Sequence, residues 1–231
     1  MSAAIIAITN QKGGSGKTTV AMTLAGTLGR RGFRVLVVDA DAQGTAIQWA
    51  IAAPDETPFP ATVSGLAGAG SKIHREIDKQ VDLFDVIIVD CPPAVDAITP
   101  QSALLVADLA LVPVIPSPAD LWAAVGTRTL IDRIEGINED LTARILANAC
   151  QPRARITRAV MDRLIDFGIP LLSARMNNRT AYRQAMALGM PVQDLGTEAR
   201  LAMIEVEAVA DEVLLILEAR NMEDSADVVQ A

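Results

Sequence analysis

Short apolar runs rich in β-branched residues alternate along the chain with segments whose apolar positions recur at helical spacing. Five runs are apolar on both faces, as expected of buried strands in a parallel sheet: residues 3–9, 34–39, 85–90, 109–115 and 144–148. Helical spacing predicts helices over residues 20–31, 99–107, 120–134, 156–167, 180–188 and 198–219. This alternation predicts an α/β fold with a doubly wound, mostly parallel sheet and helices on both faces.

The length and composition of the chain indicate one globular unit. Its 231 residues suit a single domain, and an apolar fraction of 51% supplies a large core. There is no apolar run long enough to predict a membrane-spanning helix, and the N-terminus lacks the pattern of a signal peptide. Cys91 and Cys150 have no metal-ligand spacing, so we expect buried, reduced thiols. We expect one domain over residues 1–221 and a disordered acidic tail over residues 222–231.

Charge is distributed unevenly along the chain. The net charge is −8, which by itself argues against nucleic-acid binding. The segment 144–183, however, carries eight arginines and two aspartates, so its charge is +6 and the remainder carries −14. The average therefore conceals a strongly basic segment.

A glycine-rich loop, NQKGGSGKTT at residues 10–19, follows the first predicted strand and opens the first predicted helix. Glycines let the backbone N–H groups point inward, and the helix N-terminus adds its positive dipole end, so the loop suits phosphate groups. Lys17 would reach the terminal phosphates, and the Thr18 hydroxyl would bind Mg²⁺. The predicted nucleotide contacts are Gly13, Gly14, Ser15, Gly16, Lys17, Thr18 and Thr19. The common phosphate-loop pattern has glycine at position 11, whereas this chain has Gln11 and then a second lysine, Lys12.

Three other predicted strands end in polar residues. Asp39, Asp90 and Asn148 each stand at the carboxyl end of a strand. Ligands of open α/β sheets bind at those ends, so the three side chains and the glycine loop should converge on one edge of the sheet.

Four sequence blocks carry a family resemblance. KGGSGKTT resembles the deviant Walker A motif of the ParA/MinD-type ATPases, a branch of the P-loop NTPases. VDADAQG (38–44) resembles their switch I, with Ala42 where proline is usual, and IIVDCPP (87–93) resembles their Walker B and switch II. VPVIPSPADL (112–121) resembles a later proline-rich stretch that ends in Asp-Leu. With no DNA-reading domain before the loop, the chain is most similar to the short partition ATPases and the carboxysome-positioning ATPases.

The resemblance implies Mg²⁺-dependent hydrolysis of ATP to ADP and phosphate in a site completed by dimerisation. Lys12 would cross the interface to the partner's nucleotide, so ATP would join two subunits. The catalytic residues would be Lys12, Lys17 and Asp41, with Asp41 positioning the attacking water. Asp90 and Thr18 would hold Mg²⁺, and Asp39 would either support the outer shell of the metal or cap a strand end. The resemblance also makes Asn148 a candidate adenine contact, although a turn-forming asparagine is a comparable explanation.

The resemblance also implies that the dimer binds DNA. Partition-type members bind double-stranded DNA non-specifically, using basic residues in the C-terminal part. The candidates here are Arg153, Arg155, Arg158, Arg163, Arg175, Arg179 and Arg183. Such side chains would neutralise backbone phosphates without reading bases. The alternative is a solvated face paired with acidic residues elsewhere.

The function expected from these features is that of a cytoplasmic, nucleoid-associated ATPase that positions or segregates a cargo such as a plasmid or carboxysome. A cargo adaptor protein would stimulate hydrolysis. The acidic C-terminal segment argues against the membrane association of MinD-like members. The main alternative is a metabolic enzyme with the same loop, such as a dethiobiotin-synthetase-like ligase.

Overall fold

A parallel sheet forms the centre of the molecule. The computed structural model describes residues 2–93, 98–151, 160, 162–164 and 167–230. The strands are β1 (Ala4–Ile8), β2 (Val35–Asp39), β3 (Thr62–Gly65), β4 (Val86–Asp90), β5 (Leu109–Val114), β6 (Thr142–Cys150) and β7 (Leu171–Asn177). Their order across the sheet is β3-β2-β4-β1-β5-β6-β7, and every neighbouring pair is parallel. The predicted doubly wound α/β architecture is confirmed.

Helices cover both faces of the sheet. They are α1 (Lys17–Arg30), α2 (Thr45–Ile51), α3 (Ile73–Asp78), α4 (Ile98–Leu104), α5 (Pro118–Glu135), α6 (Thr180–Leu188) and α7 (Arg200–Gln230). Short 3₁₀ turns occupy Ala67–Lys72, Val192–Leu195 and Thr197–Ala199. Most of the helix predicted at 156–167 lies outside the described residues.

Alternate residues of the central strands supply two separate cores, because successive strand side chains point to opposite faces. Ile6, Ile8 and Val37 pack with α1 and α7 on one face. Ile5 and Val38 pack with α3, α4 and α5 on the other. Burial on both sides explains why these strands are continuous apolar runs. The polar residues Asp39 and Asp90 stand where β2 and β4 end, at the carboxyl edge of the sheet.

Two strands and two helices were not predicted. β3 has only four residues, TVSG, and β7 is buried only at Leu172 and Met176. Both occupy edges of the sheet, where the continuous apolar pattern is lost. The helices α2 and α3 are only seven and six residues long. Conversely, β6 continues two residues past Asn148, through an irregularity where Ala149 has a φ of 47°.

The last helix is longer than the helix predicted over residues 198–219. Val206, Val209 and Val213 pack in the core, whereas Leu201 and Ile204 are more than half exposed. The helix continues to Gln230, through the segment for which a disordered tail was expected. Within the described ranges, no helix is both long and apolar enough to cross a membrane.

Candidate functional site

The glycine loop depends on two glycines with a left-handed backbone. Gly14 and Gly16 have φ values of 77° and 88°, which side-chain-bearing residues rarely adopt. A Cβ atom on Gly16 would also lie 2.3 Å from Nδ2 of Asn148, so there is no space for one. Gly16 is the N-cap of α1, and the helix begins at Lys17. The glycines therefore bring the loop close to β6 and aim the helix N-terminus into the site.

Polar groups inside the loop suit an anionic ligand. Lys17 is buried, and its ammonium donates a hydrogen bond to the carbonyl oxygen of Lys12 at 3.1 Å. Burial lowers the pKa of Lys17, while the negative charge of Asp90 opposes that effect. The Ser15 hydroxyl is buried, with no hydrogen-bond partner among the described residues. Phosphate oxygens would provide acceptors for both side chains.

Asp39 and Asp90 meet at the carboxyl edge of the sheet, because they are register partners at the ends of β2 and β4. Neither oxygen of Asp90 has a hydrogen-bond donor in bonding geometry within the described part of the chain. Burial raises the pKa of Asp90 to about 7; Thr18 and Lys17 lower it, and Asp39 contributes to the rise. A buried, poorly solvated carboxylate beside a hydroxyl is a suitable ligand for a hard divalent cation.

Asp39 and Asp41 shape the turn after β2. Asp39 accepts hydrogen bonds from the backbone N–H groups of Asp41 at 3.2 Å and Ile47 at 3.1 Å. Asp41 is half-buried and accepts from the N–H of Gln43 at 2.9 Å. Asp39 thus makes the contacts of the strand-end role that the sequence left open, and its outer-shell role remains a prediction. Asp41 lies two residues after the end of β2, and its negative charge, like that of Asp90, opposes the lowering of the Lys17 pKa by burial.

The arrangement fits a magnesium nucleotide rather than a metal held by protein alone. Among the described residues, no group of three or more His, Cys, Asp or Glu side chains could hold a metal ion. Mg²⁺ usually keeps several waters and needs only one or two carboxylates beside phosphate oxygens. Asp90 and Thr18 would therefore be sufficient to hold the metal beside phosphate oxygens. The neighbouring Cys91 is fully buried, which raises the pKa of its thiol and makes it unreactive.

The first half of the loop is fastened to α5. Lys12 forms an ion pair with Asp120, with 2.8 Å between Nζ and Oδ2. The N–H of Gln11 donates to the Thr127 hydroxyl at 3.0 Å, and the N–H of Lys12 donates to the Asn10 side chain at 2.9 Å. Sequence reasoning missed Asp120 and Thr127 as neighbours of the loop. The Asp-Leu at the end of VPVIPSPADL was the available signal, but the contact itself depends on the tertiary fold.

Asn148 connects the loop with the end of β6. Its Nδ2 donates to the carbonyl oxygen of Ser15, and its Oδ1 accepts from the N–H of Ala149, both at 2.8 Å. Contact with adenine remains a prediction. A cavity of about 200 Å³ opens beside it, lined by Gly14, Ser15, Gly16, Thr19, Ile115, Asn148, Ala149, Asn177, Asn178, Arg179, Tyr182, Arg183 and Met186.

A carboxylate from α7 organises the far wall of this cavity. Glu205 accepts hydrogen bonds from Asn177, from Arg179 at 2.6 Å and from Tyr182 at 2.9 Å. We refer to these four residues as the Glu205 network. Burial would raise the pKa of Glu205, but the hydrogen bonds from Arg179 and Asn177 hold it below its ordinary value. No sequence pattern predicted this network.

The candidate DNA-binding arginines differ in their surroundings. Arg153, Arg155 and Arg158 lie outside the described residues. Arg163, Arg175 and Arg183 are exposed. Arg179 is engaged by Glu205 instead, so its guanidinium is occupied within the chain.

Comparison with known proteins supports a nucleotide-binding role for the phosphate loop. The model of the CobQ/CobB/MinD/ParA nucleotide binding domain matches residues 6–192. Maintenance of carboxysome distribution protein A from Halothiobacillus neapolitanus is 34% identical over 209 residues, which are 90% of this chain and 95% of that protein. Sporulation initiation inhibitor protein Soj from Bacillus subtilis is 31% identical over 179 residues, covering 62% and 69% of the two chains.

Solved structures show the same fold. An ATP complex of a variant of McdA from Cyanothece has a TM-score of 0.75 and 17% identity, with 92% of this chain and 96% of that chain covered. MinD from Pyrococcus horikoshii with Mg-ADP has a TM-score of 0.69 and 22% identity, with 94% and 98% covered. The family match extends from β1 across the phosphate loop and the acidic strand ends. The chain belongs to the CobQ/CobB/MinD/ParA family of nucleotide-binding domains.

Proposed function

We propose that this chain is a Mg²⁺-dependent ATPase that dimerises on binding ATP and positions or segregates an intracellular cargo on nucleoid DNA. The observation that carries the proposal is the presence of Lys12 and Lys17 on one glycine loop, at the sheet edge that also holds Asp41 and Asp90. A relative named for carboxysome distribution, 34% identical over 90% of this chain, supports a positioning function.

The chain's own groups divide the work at the phosphates. Lys17 and the loop N–H groups bind the terminal phosphates, and Thr18 and Asp90 hold the metal. Bound Mg²⁺ would neutralise phosphate charge in the reaction. Asp41 orients the attacking water from the turn after β2, where its carboxylate is only half-buried. These roles need no large rearrangement of the loop, because the glycines already aim the helix N-terminus inward.

Lys12 is the residue that would make the reaction depend on a second subunit. Its side chain is 34% exposed at the outer side of the loop, whereas Lys17 is buried within the loop. An ammonium group gains far more from a phosphate in a closed, water-poor interface than in open solvent. ATP bound to one subunit would therefore attract Lys12 of another.

The proposal also includes DNA binding by exposed arginines and stimulation of hydrolysis by a cargo adaptor. Arg163, Arg175 and Arg183 offer exposed guanidinium groups in the basic segment 144–183. One subunit would hold DNA weakly, but two aligned subunits would act together. A cargo adaptor would then raise the rate of ATP hydrolysis and release the dimer from the nucleoid in the cytoplasm.

The main test is the mass of the protein with a non-hydrolysable ATP analogue. The wild type should become a dimer. Lys12→Ala should bind the analogue with nearly unchanged affinity but remain monomeric, and Asp41→Ala should accumulate as an ATP-bound dimer with slow turnover. Lys72→Ala, which removes an exposed lysine elsewhere, is the control. A wild-type monomer whose turnover requires a small metabolite would instead favour the ligase alternative.

DNA binding is tested separately by retention on random-sequence DNA at increasing salt. The ATP-loaded wild type should be retained, and its affinity should fall steeply with salt because phosphate contacts release counterions. Arg175→Ala should reduce that salt dependence by the equivalent of about one contact. Equal retention with and without ATP would contradict the switching part of the proposal.

A further inference from the structure

Lys12 is held within its own subunit by a residue of α5. The ammonium lies 2.8 Å from Oδ2 of Asp120, and the Asp120 side chain is only 5% exposed. The loop backbone at the contact is fixed by two hydrogen bonds. The N–H of Gln11 donates to the Thr127 hydroxyl, and the N–H of Lys12 donates to the Asn10 side chain. The ion pair is therefore one of two contacts that fix the phosphate loop to α5.

The surroundings of Asp120 make this ion pair costly to break. Ser117, the N-cap of α5, donates a hydrogen bond to the same carboxylate oxygen and accepts one from the Asp120 N–H at 3.2 Å. The other oxygen, Oδ1, is buried with no hydrogen-bond partner among the described residues. Removal of Lys12 would leave a buried negative charge without its counter-ion, which is strongly unfavourable.

We infer that Asp120 is a positioning residue that holds Lys12 in its own subunit and releases it only to the triphosphate of a second copy. This inference rests on the proposed ATP-dependent dimer. A triphosphate presents more negative charge to the interface than a diphosphate, so it competes better with the Asp120 carboxylate. The ion pair would thus suppress dimers without ATP and make the dimer selective for the γ-phosphate.

Helix capping alone does not account for Asp120. The N-cap role belongs to Ser117, whose hydroxyl accepts from the N–H of Asp120 whatever the side chain at position 120. A carboxylate used only to complement the helix N-terminus would remain solvated, whereas this one is buried with an orphaned oxygen. Variants at positions 117 and 120 therefore separate the two explanations.

The first experiment measures the ion pair without requiring a dimer. The rate at which an amine-reactive reagent labels Lys12 is followed by mass spectrometry in the nucleotide-free protein. Asp120→Asn should raise this rate several-fold, and Asp120→Glu should restore it towards the wild type. Asp132→Asn, an equal charge change at an exposed position of α5, should leave it unchanged. Equal labelling of wild type and Asp120→Asn would overturn the inference.

The second experiment measures the dissociation constant of the dimer by analytical ultracentrifugation. With the ATP analogue, Asp120→Asn should lower that constant about tenfold. With ADP, the same variant should form dimers at concentrations where the wild type stays monomeric. In a Lys12→Ala background the Asp120→Asn substitution should have no effect, since the group it releases is absent. Ser117→Ala, which removes the cap and one hydrogen bond to Asp120 but keeps the carboxylate, should not imitate Asp120→Asn.

The outcomes distinguish this inference from the proposed function. If the wild type does not dimerise with the analogue, the proposed function fails, while the labelling result still decides whether Asp120 holds Lys12. If the wild type dimerises but Asp120→Asn dimerises equally or more weakly, the inference is wrong and the proposed function stands. The same conclusion follows if Ser117→Ala and Asp120→Asn behave alike.

Discussion

The phosphate loop and the Glu205 network lie on two sides of the same cavity and are built from different kinds of contact. The loop takes its shape from consecutive residues, above all Gly14 and Gly16, which have left-handed backbones. The Glu205 network joins β7 and α6 to a carboxylate from α7, more than twenty residues further along the chain than its partners Asn177 and Tyr182. Asn148 lies between the two regions.

The difference shows how charge is managed in each region. At the phosphate loop, Ser15 in the loop and Asp90 at the end of β4 have buried oxygens without partners among the described residues, so this region retains unsatisfied polar groups. In the Glu205 network, one carboxylate accepts hydrogen bonds from three side chains and is satisfied within the chain, and Oδ1 of Asn177 is the member atom that is buried without a partner among the described residues. Unsatisfied groups suit ligand binding, whereas satisfied groups support the fold. Substitutions should therefore weaken binding without a loss of stability in the first region, and should reduce stability in the second.

Lys17→Ala should give the largest effect and act almost entirely on ATP turnover rather than on stability. Losing the ammonium that we propose to contact the terminal phosphates should reduce ATP turnover by about a thousandfold, near the upper end for a single charge-stabilising group. The nucleotide-free variant should be as stable as the wild type or more stable, because burial already lowers the pKa of Lys17 and disfavours its charge. Turnover assays and thermal melts measure both. A comparable loss of stability would erase the contrast between the regions.

Asp90→Asn should stabilise the nucleotide-free protein in a pH-dependent way. Burial raises the pKa of Asp90 from its ordinary value of 3.8 to about 7. The unfolded chain therefore loses this proton at lower pH than the folded chain, and stability falls as pH rises between those values. The gain from Asp90→Asn should be small near pH 4, grow towards pH 7, and level off above it at no more than about 4 kcal/mol. Urea unfolding at several pH values tests this, and a gain independent of pH would contradict it.

Glu205→Ala should act mainly on stability. It leaves Arg179 without its counter-ion and removes the acceptor for Asn177 and Tyr182, so we expect a loss of about 2 to 3 kcal/mol in the free energy of unfolding. The exposed Glu218→Ala on the same helix is the control and should change stability by less than about 0.5 kcal/mol. Urea unfolding measures both.

The pH dependence of that loss has a defined sign. The pKa of Glu205 is lowered by its hydrogen bonds, so the stabilisation is present at neutral pH and disappears as pH falls below the ordinary value of 4.5 and through the lowered pKa. The difference between wild type and Glu205→Ala should shrink over that range. A constant difference would assign the effect to lost packing rather than to the ion pair.

The sequence predicted the parts of the fold and site that depend on residues close together in the chain. Five strands follow from apolar runs that are buried on both faces, and the phosphate loop follows from its glycines. β3 and β7 could not be predicted because edge strands lose the continuous apolar pattern. The contact between Lys12 and Asp120 and the Glu205 network connect residues far apart in sequence, so only the tertiary fold brings them together. The motifs thus located the site but not the groups that restrain it.

Asn148→Ala should give the smallest effect and decide to which region Asn148 belongs. Its side-chain amide donates a hydrogen bond to the Ser15 carbonyl and accepts one from the Ala149 N–H. Removal of the amide should therefore loosen the phosphate loop. The loss of one or two hydrogen bonds should reduce affinity about tenfold. If the contact acts through the loop, ATP and inorganic tripolyphosphate should lose affinity equally in calorimetric titrations. The exposed Asn178→Ala, on the same cavity, should change neither. A loss of affinity for ATP but not for tripolyphosphate would instead make Asn148 the adenine contact that the family resemblance implied. Asn148 would then act through the cavity rather than through the phosphate loop.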